Sequence, residues 1–135
     1  MANKYMVVVG CGRLGSLLAS RLSGQGNSVV AIDCQEASFN NLTSEFSGFQ
    51  IVADAAELEV LRMAKADKAD CLLAVTNKDN INLMVAQVAK TVFKVPVVLA
   101  RVFDPAREKI YREFGIATIS PTNLSADAFM ANLPS

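Results

Sequence analysis

Val7-Val8-Val9-Gly10-Cys11-Gly12-Arg13-Leu14-Gly15 is the stretch whose reading decides the fold. An apolar run ends at a glycine, three glycines stand in the spacing G-x-G-x-x-G, and an amphipathic segment begins. A run apolar at consecutive positions suits a strand buried on both faces, here over residues 5–9. Leu14, Leu17, Leu18 and Leu22 then recur at helical spacing, so residues 12–22 read as a helix that Gly24-Gln25-Gly26-Asn27 stops. The glycines of the turn serve different ends. Gly10 allows a tight turn, Gly12 lets backbone approach a ligand with no Cβ in the way, and Gly15 lets the helix pack close on the sheet. The helix N-terminus presents free N–H groups and a positive dipole end, a ready site for phosphate.

Outward from this turn, strand and helix alternate. Residues 29–32 read as a second strand ending at Asp33, and 35–47 as a weaker helix with Phe39, Leu42 and Phe46 inward. Residues 49–52 form the third strand. Asp54-Ala55-Ala56-Glu57 has capping-box spacing, and Leu58, Leu61 and Met63 or Ala64 continue its helix. A fourth strand spans 71–75, and Thr76 or Asn77 caps a long helix to about Phe93. The fifth strand covers 95–99. Asp104-Pro105 starts a helix with Ile110, Tyr111 and Phe114 inward, closed by Gly115. The sixth strand is 116–119, and Pro121 opens a last helix through Leu124, Ala128 and Phe129. Six strands each followed by a helix specify a doubly wound, Rossmann-type α/β fold. Its parallel sheet is expected in the order 3-2-1-4-5-6, as one domain over residues 1–135.

Composition agrees. A length of 135 residues is one domain's worth, 52% hydrophobic and 19% charged. Formal net charge is zero, which argues against nucleic acid as a partner. No run reaches the roughly 20 apolar residues of a membrane helix. No cleavable leader pattern is read, so the expectation is a cytoplasmic protein. Cys11, Cys34 and Cys71 have no metal spacing and read as reduced thiols. Cys11 reads as a small residue that fits the turn rather than as a redox sensor. The chain has no histidine, which removes the commonest general acid/base and metal ligand together.

The candidate site is therefore a nucleotide site. Asp33 ends the second strand about twenty residues past the turn, where a carboxylate accepts bonds from both ribose hydroxyls and repels a 2′-phosphate. NAD-type or plain adenine nucleotides are expected over NADP; the alternative is a loop aspartate capping the helix near Gln35. Arg13 has the reach to fold over phosphates as a fork of donors, or to lie in solvent. Asp54 faces an adenine edge or caps its helix. Thr76 and Asn77 end the fourth strand at the topological switch point, or cap. Arg101, just past the fifth strand, reaches a distal phosphate or pairs with a surface acid. Leu14, Cys34 and Ala55 lie beside these residues and join them as candidates.

The helix at 77–93 carries Ile81, Met84, Val85, Val88 and Val92 on one face, widened by Leu83, Ala86, Ala89 and Phe93. So broad an apolar surface is expected to meet the sheet on one side and a second copy of the chain on the other. Phe103, Ile110 and Tyr111 extend that surface through the 105–114 helix. The alternative is burial by the last helix.

The ordered segments Gly10-Cys-Gly-Arg13-Leu-Gly15, Ala31-Ile-Asp33, Ala53-Asp54-Ala55, Ala74-Val-Thr76-Asn77-Lys-Asp79, Ala100-Arg101-Val-Phe-Asp104-Pro105, Phe114-Gly115 and Ile119-Ser-Pro121 resemble the TrkA-type N-terminal domain, also called the RCK or KTN domain. The resemblance runs through nearly the whole chain. It implies a nucleotide-binding regulatory subunit, not an enzyme, that senses NAD(H) or AMP, ADP or ATP. Such a subunit would assemble as dimers or rings and act on a membrane potassium channel or transporter from its inner face. It implies that Gly10, Gly12, Arg13 and Gly15 contact phosphates and Asp33 the ribose. Asp54 would then face the adenine, with Thr76, Asn77 and Arg101 lining the rest. Two departures stand out: many relatives have Gly-Asp-Ala-Thr where this chain has Ala53-Asp54-Ala55-Ala56, and an acid where it has Thr122. The family's C-terminal ligand domain is not among these residues. The competing classes are the cofactor half of an NAD-dependent oxidoreductase and an S-adenosyl-dependent methyltransferase. Tyr111-Arg-Glu-Phe-Gly115 offers no Tyr-x-x-x-Lys pair for the first, and the length of the resemblance argues against the second.

Overall fold

A computed structural model describes residues 3–134. Six strands, β1 (Tyr5–Val9), β2 (Ser28–Asp33), β3 (Phe49–Val52), β4 (Cys71–Ala74), β5 (Val97–Arg101) and β6 (Ala117–Ile119), form one sheet in the order β3-β2-β1-β4-β5-β6. Every neighbouring pair is parallel, with Val7 opposite Val30 on one side and Leu72 on the other. The expected fold class and strand order are both observed. Five α-helices connect and flank the sheet: α1 (Arg13–Gly24), α2 (Leu58–Met63), α3 (Asp79–Thr91), α4 (Glu108–Glu113) and α5 (Pro121–Ala131). None of them is long and apolar enough to cross a membrane.

Side chains alternate across the sheet and fill two cores. Val7, Val9, Ile32, Leu72 and Ala74 meet Leu61, Val85, Ala86, Ala89 and Tyr111 on the α2–α3 side. Val8, Val29, Ala31 and Leu73 meet Ala19, Cys11 and Phe39 on the α1 side. Central strands buried on both faces need apolar residues at every position, which is what β1 carries.

Helix α1 does not bury the leucine face that its spacing predicts. Gly15, Ser16, Ala19, Ser20 and Ser23 lie innermost; Leu14, Leu18 and Leu22 flank them half-buried, and Leu17 is exposed. The cause is at Gly15, where a Cβ would stand 1.7 Å from the Gly10 carbonyl oxygen. At so close an approach only small side chains fit underneath. The buried serines in turn shape the segment between β2 and β3. Ser20 Oγ accepts the Thr43 N–H at 3.0 Å and Ser23 Oγ accepts the Ser47 N–H at 2.9 Å. These bonds replace a helical ladder, so the helix expected over 35–47 is a 3₁₀ segment, Glu36–Asn41, followed by irregular chain.

Two further boundaries differ, and so does the burial of the last two helices. Pro96 comes after a turn at positive-φ Lys94, so β5 starts at Val97 rather than at residue 95. The segment from Pro105 is first a 3₁₀ turn, Pro105–Arg107, capped by Asp104 Oδ1 on the Ala106 N–H, and only then helix α4. On α4, Tyr111 is buried as expected while Ile110, and Phe114 just after the helix, are exposed, because a helix this short turns one residue per turn to the sheet. Helix α5 buries none of its residues, leaving Leu124, Phe129 and Met130 in solvent.

Candidate functional site

The strand order sets the C-terminal ends of β3, β2, β1 and β4 side by side, and a cleft of about 310 Å³ opens over them. Its lining runs from Ala53, Asp54 and Ala55 after β3, through Asp33, Cys34, Gln35 and Ser38 after β2. It continues past Gly10 and Gly12 after β1 to Thr76, Asn77, Lys78 and Ile81 after β4. Val9 and Ile32 form apolar floor. Such a crevice outside the carboxyl ends of the strands, where the chain reverses its winding direction between β1 and β4, is where open α/β sheets hold ligands.

The three glycines divide their labour. Gly10 has φ +102, and a Cβ there would meet the Thr76 backbone at 2.7 Å. Gly15 is pinned by the Gly10 carbonyl. Gly12 differs: a Cβ on it would meet nothing within 4 Å, and its φ of −74 suits any residue. The protein's own packing does not require glycine there; the open space belongs to the cleft. Gly12 is also the N-cap of α1 and supplies no side-chain cap, so the first N–H groups of that helix lack acceptors from within the helix.

Asp33 braces this turn. Its Oδ2 accepts the Cys11 N–H at 2.8 Å and its Oδ1 accepts the Gln35 N–H at 2.9 Å. Each carboxylate oxygen keeps a further lone pair for a ligand hydroxyl. The helix-capping alternative for Asp33 is half met: the Gln35 bond holds the start of the 3₁₀ segment, while the Cys11 bond reaches back across the sheet. Asp54 Oδ1 accepts the Ala56 N–H at 2.9 Å. The capping box it was expected to share with Glu57 does not form, because α2 begins only at Leu58 and Glu57 caps nothing with its side chain.

Beyond β4, Thr76 and Asn77 do not cap α3, which begins at Asp79 after an N-cap Lys78 that offers no side-chain cap. Thr76 is instead bound to Asn82, which is fully buried. Asn82 Oδ1 accepts the Thr76 N–H at 2.9 Å and its hydroxyl at 2.6 Å, and Asn82 Nδ2 donates to the carbonyls of Thr76 and Arg101, both at 3.0 Å. Arg101 lies behind this wall rather than on it. Its Nη2 donates to the Thr76 carbonyl at 2.8 Å and its guanidinium lies 4.3 Å from the centre of the Phe103 ring. Its Nε is buried without a partner, and burial pushes its pKa below the ordinary arginine value, with Asp79 opposing.

Of the residues singled out from the sequence, Gly10, Gly12, Asp33, Cys34, Asp54, Ala55, Thr76 and Asn77 line the cleft. Cys11, Arg13, Leu14, Gly15 and Arg101 do not. Cys11 is packed beneath the turn, where burial and then Asp33 push its thiol up to about 11, so it is protonated at neutral pH. Arg13 is exposed at the first position of α1 and joins no ion pair among the described residues. Gln35, Ser38, Lys78 and Ile81 line the cleft and were not among the candidates. Lys78 carried a signal, a cation directly after Thr76-Asn77 at the switch point; Gln35 and Ser38 were hidden by the helical reading of 35–47.

The family model of the TrkA-N domain matches residues 6–121. The "Trk system potassium uptake protein TrkA" of Streptomyces coelicolor is 37% identical over 96% of this chain, which covers 58% of that relative's length. Among solved structures, the TrkA-N domain of inner membrane protein ybaL from Escherichia coli superposes with a TM-score of 0.85 at 19% identity, covering 98% of each chain. The Kef C-terminal domain of Shewanella denitrificans in AMP-bound form gives 0.75 at 22% identity over 97% of this chain and 83% of that one. The GsuK channel bound to NAD gives 0.72 at 15%, over 87% of this chain and 21% of that one. At these identities the solved structures speak for the fold; the family match over most of the chain speaks for its membership. This chain belongs to the TrkA-N domain family.

Proposed function

We propose that residues 1–135 form the nucleotide-binding module of a regulatory subunit that controls potassium uptake or conductance through a membrane partner. NAD(H) or AMP, ADP or ATP occupies the cleft. The single observation that carries this is Gly12. It lines the cleft together with Asp33, with open space where a Cβ would be and the unpaired start of α1 behind it. The family, the potassium-uptake name of a relative 37% identical, and the AMP and NAD bound by two fold neighbours support the reading.

In this reading Asp33 holds the ribose diol and disfavours a 2′-phosphate. The Arg13, Leu14 and Gly15 N–H groups face the phosphates, and Asp54 and Ala55 flank the base. The module is a regulator rather than a catalyst and works peripherally, on the inner face of the membrane. It pairs with a second copy through α3 and α4. Met84 on α3 and Val92 just after it are 40% and 53% exposed, and Phe103, Ile110 and Phe114 are exposed before, on and just after α4. Tyr111 takes no part, since it is buried with its hydroxyl on the Asp79 carbonyl. The alternative cover for α3, the last helix, loses support because α5 buries nothing. Nucleotide that binds one dimer geometry better than another shifts the population between them, by no more than its difference in affinity.

The test is calorimetric titration with NAD, NADH, NADP, ATP, ADP and AMP, on the wild type and on Asp33→Ala. Saturable binding of non-NADP nucleotides, weakened by the substitution, is the expected result. Preference for NADP, or binding of none, overturns the reading.

A further inference from the structure

The cleft has a charge gradient along the sheet edge. Its two acids, Asp54 and Asp33, stand after β3 and β2; the neutral glycine turn stands after β1; and Lys78, after β4, is the sole cation among the described residues that line it. Lys78 joins no ion pair among the described residues. Its chain neighbour Asp79 is not free to neutralise it. Asp79 is buried, and its two oxygens accept the N–H groups of Phe103 at 2.6 Å and Asp104 at 3.0 Å, on the loop after β5. β2 and β4 are the two neighbours of β1, so Asp33, at the end of β2, and Lys78, in the loop after β4, line the cleft on either side of the glycine turn.

We propose that Lys78 is the specificity-determining residue for a second phosphate, so that the cleft favours nucleoside diphosphates and triphosphates over monophosphates. The inference rests on the nucleotide reading of the cleft and extends it. With the ribose on Asp33, the first phosphate falls over the glycine turn and the α1 N-terminus. A monophosphate ends there. A second phosphate is the next group along the edge toward β4, where the ammonium of Lys78 meets it as a mobile point charge. The terminal phosphate of ADP carries more charge than the bridging phosphate of NAD, so the benefit falls in the order ADP, then NAD, with none for AMP.

The experiment is calorimetric titration of wild type, Lys78→Gln and Lys78→Arg with AMP, ADP and NAD at fixed ionic strength, with thermal melts as the control for folding. Lys78 is exposed and holds no ion-pair partner among the described residues, so all three proteins are expected to melt together. Wild type is expected to bind ADP at least about 10-fold more tightly than AMP, a difference one charge-assisted contact supplies. Lys78→Gln is expected to lose that difference by weakening ADP and leaving AMP unchanged. Lys78→Arg is expected to retain it. Equal weakening of AMP and ADP by Lys78→Gln, unchanged ADP affinity, or a wild type that prefers AMP would overturn this inference while leaving a nucleotide site standing. A wild type that binds none of the three overturns the underlying reading and this inference with it.

Discussion

Gly12→Ala separates what the fold needs from what a ligand needs. In the folded protein a Cβ at Gly12 meets nothing within 4 Å, and φ is −74, so the substitution introduces neither clash nor left-handed strain. Two small effects remain, and they oppose each other. Replacing glycine reduces the freedom of the unfolded chain, stabilising by about 0.4–1 kcal/mol. Alanine is a poorer N-cap than glycine, costing about 0.5–1 kcal/mol. The net change is close to zero, and Tm is expected to move by no more than about 4 °C. Binding is a different matter. The added methyl occupies the space through which a phosphate reaches the α1 N–H groups, and losing one charge-assisted hydrogen bond costs about 1.5–3 kcal/mol. Nucleotide affinity is therefore expected to fall roughly 10- to 100-fold in calorimetry while the melting curve is unchanged. Wild-type affinity in Gly12→Ala would refute the assignment of that space to a ligand. A large loss of stability would refute the claim that the protein itself makes no use of it.

Gly15→Ala is the opposite case: its Cβ would stand 1.7 Å from the Gly10 carbonyl oxygen, so a loss of roughly 3 kcal/mol or more is expected in urea denaturation. Asn82→Ala leaves the Thr76 N–H and the Arg101 carbonyl without their partner in a buried wall. At about 1–3 kcal/mol per orphaned group, a loss of about 3 kcal/mol is expected, read by the same assay. In alkali, stability is expected to fall. The buried thiol of Cys11 is pushed from 9.0 to about 11 and the phenol of Tyr111 from 10.0 to about 12, both by burial first and Asp33 or Asp79 second. The unfolded chain gives up these protons first, so the stability they contribute is complete below about pH 9 and declines as pH rises toward about 12. The slope is at most about 1.4 kcal/mol per pH unit for each group. Denaturant midpoints at about pH 8 and about pH 10.5 check this, and Cys11→Ser should flatten the decline between about pH 9 and 11.

The fold was legible because its strongest signals are local and mutually consistent. The apolar run of β1, the glycine turn and the acid at the end of β2 each demand the same strand–turn–helix geometry. The alternation beyond them leaves one sensible sheet order. The parts that were not legible depend on partners distant in sequence. The segment 35–47 has helical spacing, yet Ser20 and Ser23 of α1 bind the N–H groups of Thr43 and Ser47, and nothing near residue 43 announces that. Thr76 looks like a cap, but Asn82, six residues on and fully buried, holds it as part of the cleft wall. Arg101 sits at the right strand end to reach a ligand and is turned away by the Thr76 carbonyl and the Phe103 ring. Half of the cleft was readable as single residues at strand ends. Lys78, Gln35 and Ser38 lie one step further into loops whose course only tertiary packing decides.

Backbone amide shifts on titration of the isotopically labelled chain with ADP test the nucleotide cleft most directly. The expected result is saturable movement of Gly10, Gly12, Arg13, Leu14 and Cys34, then of Asn77 and Lys78, with β6 and α5 still. Movement confined to other surfaces, or none at millimolar ADP, would contradict the assignment of the glycine turn to a nucleotide.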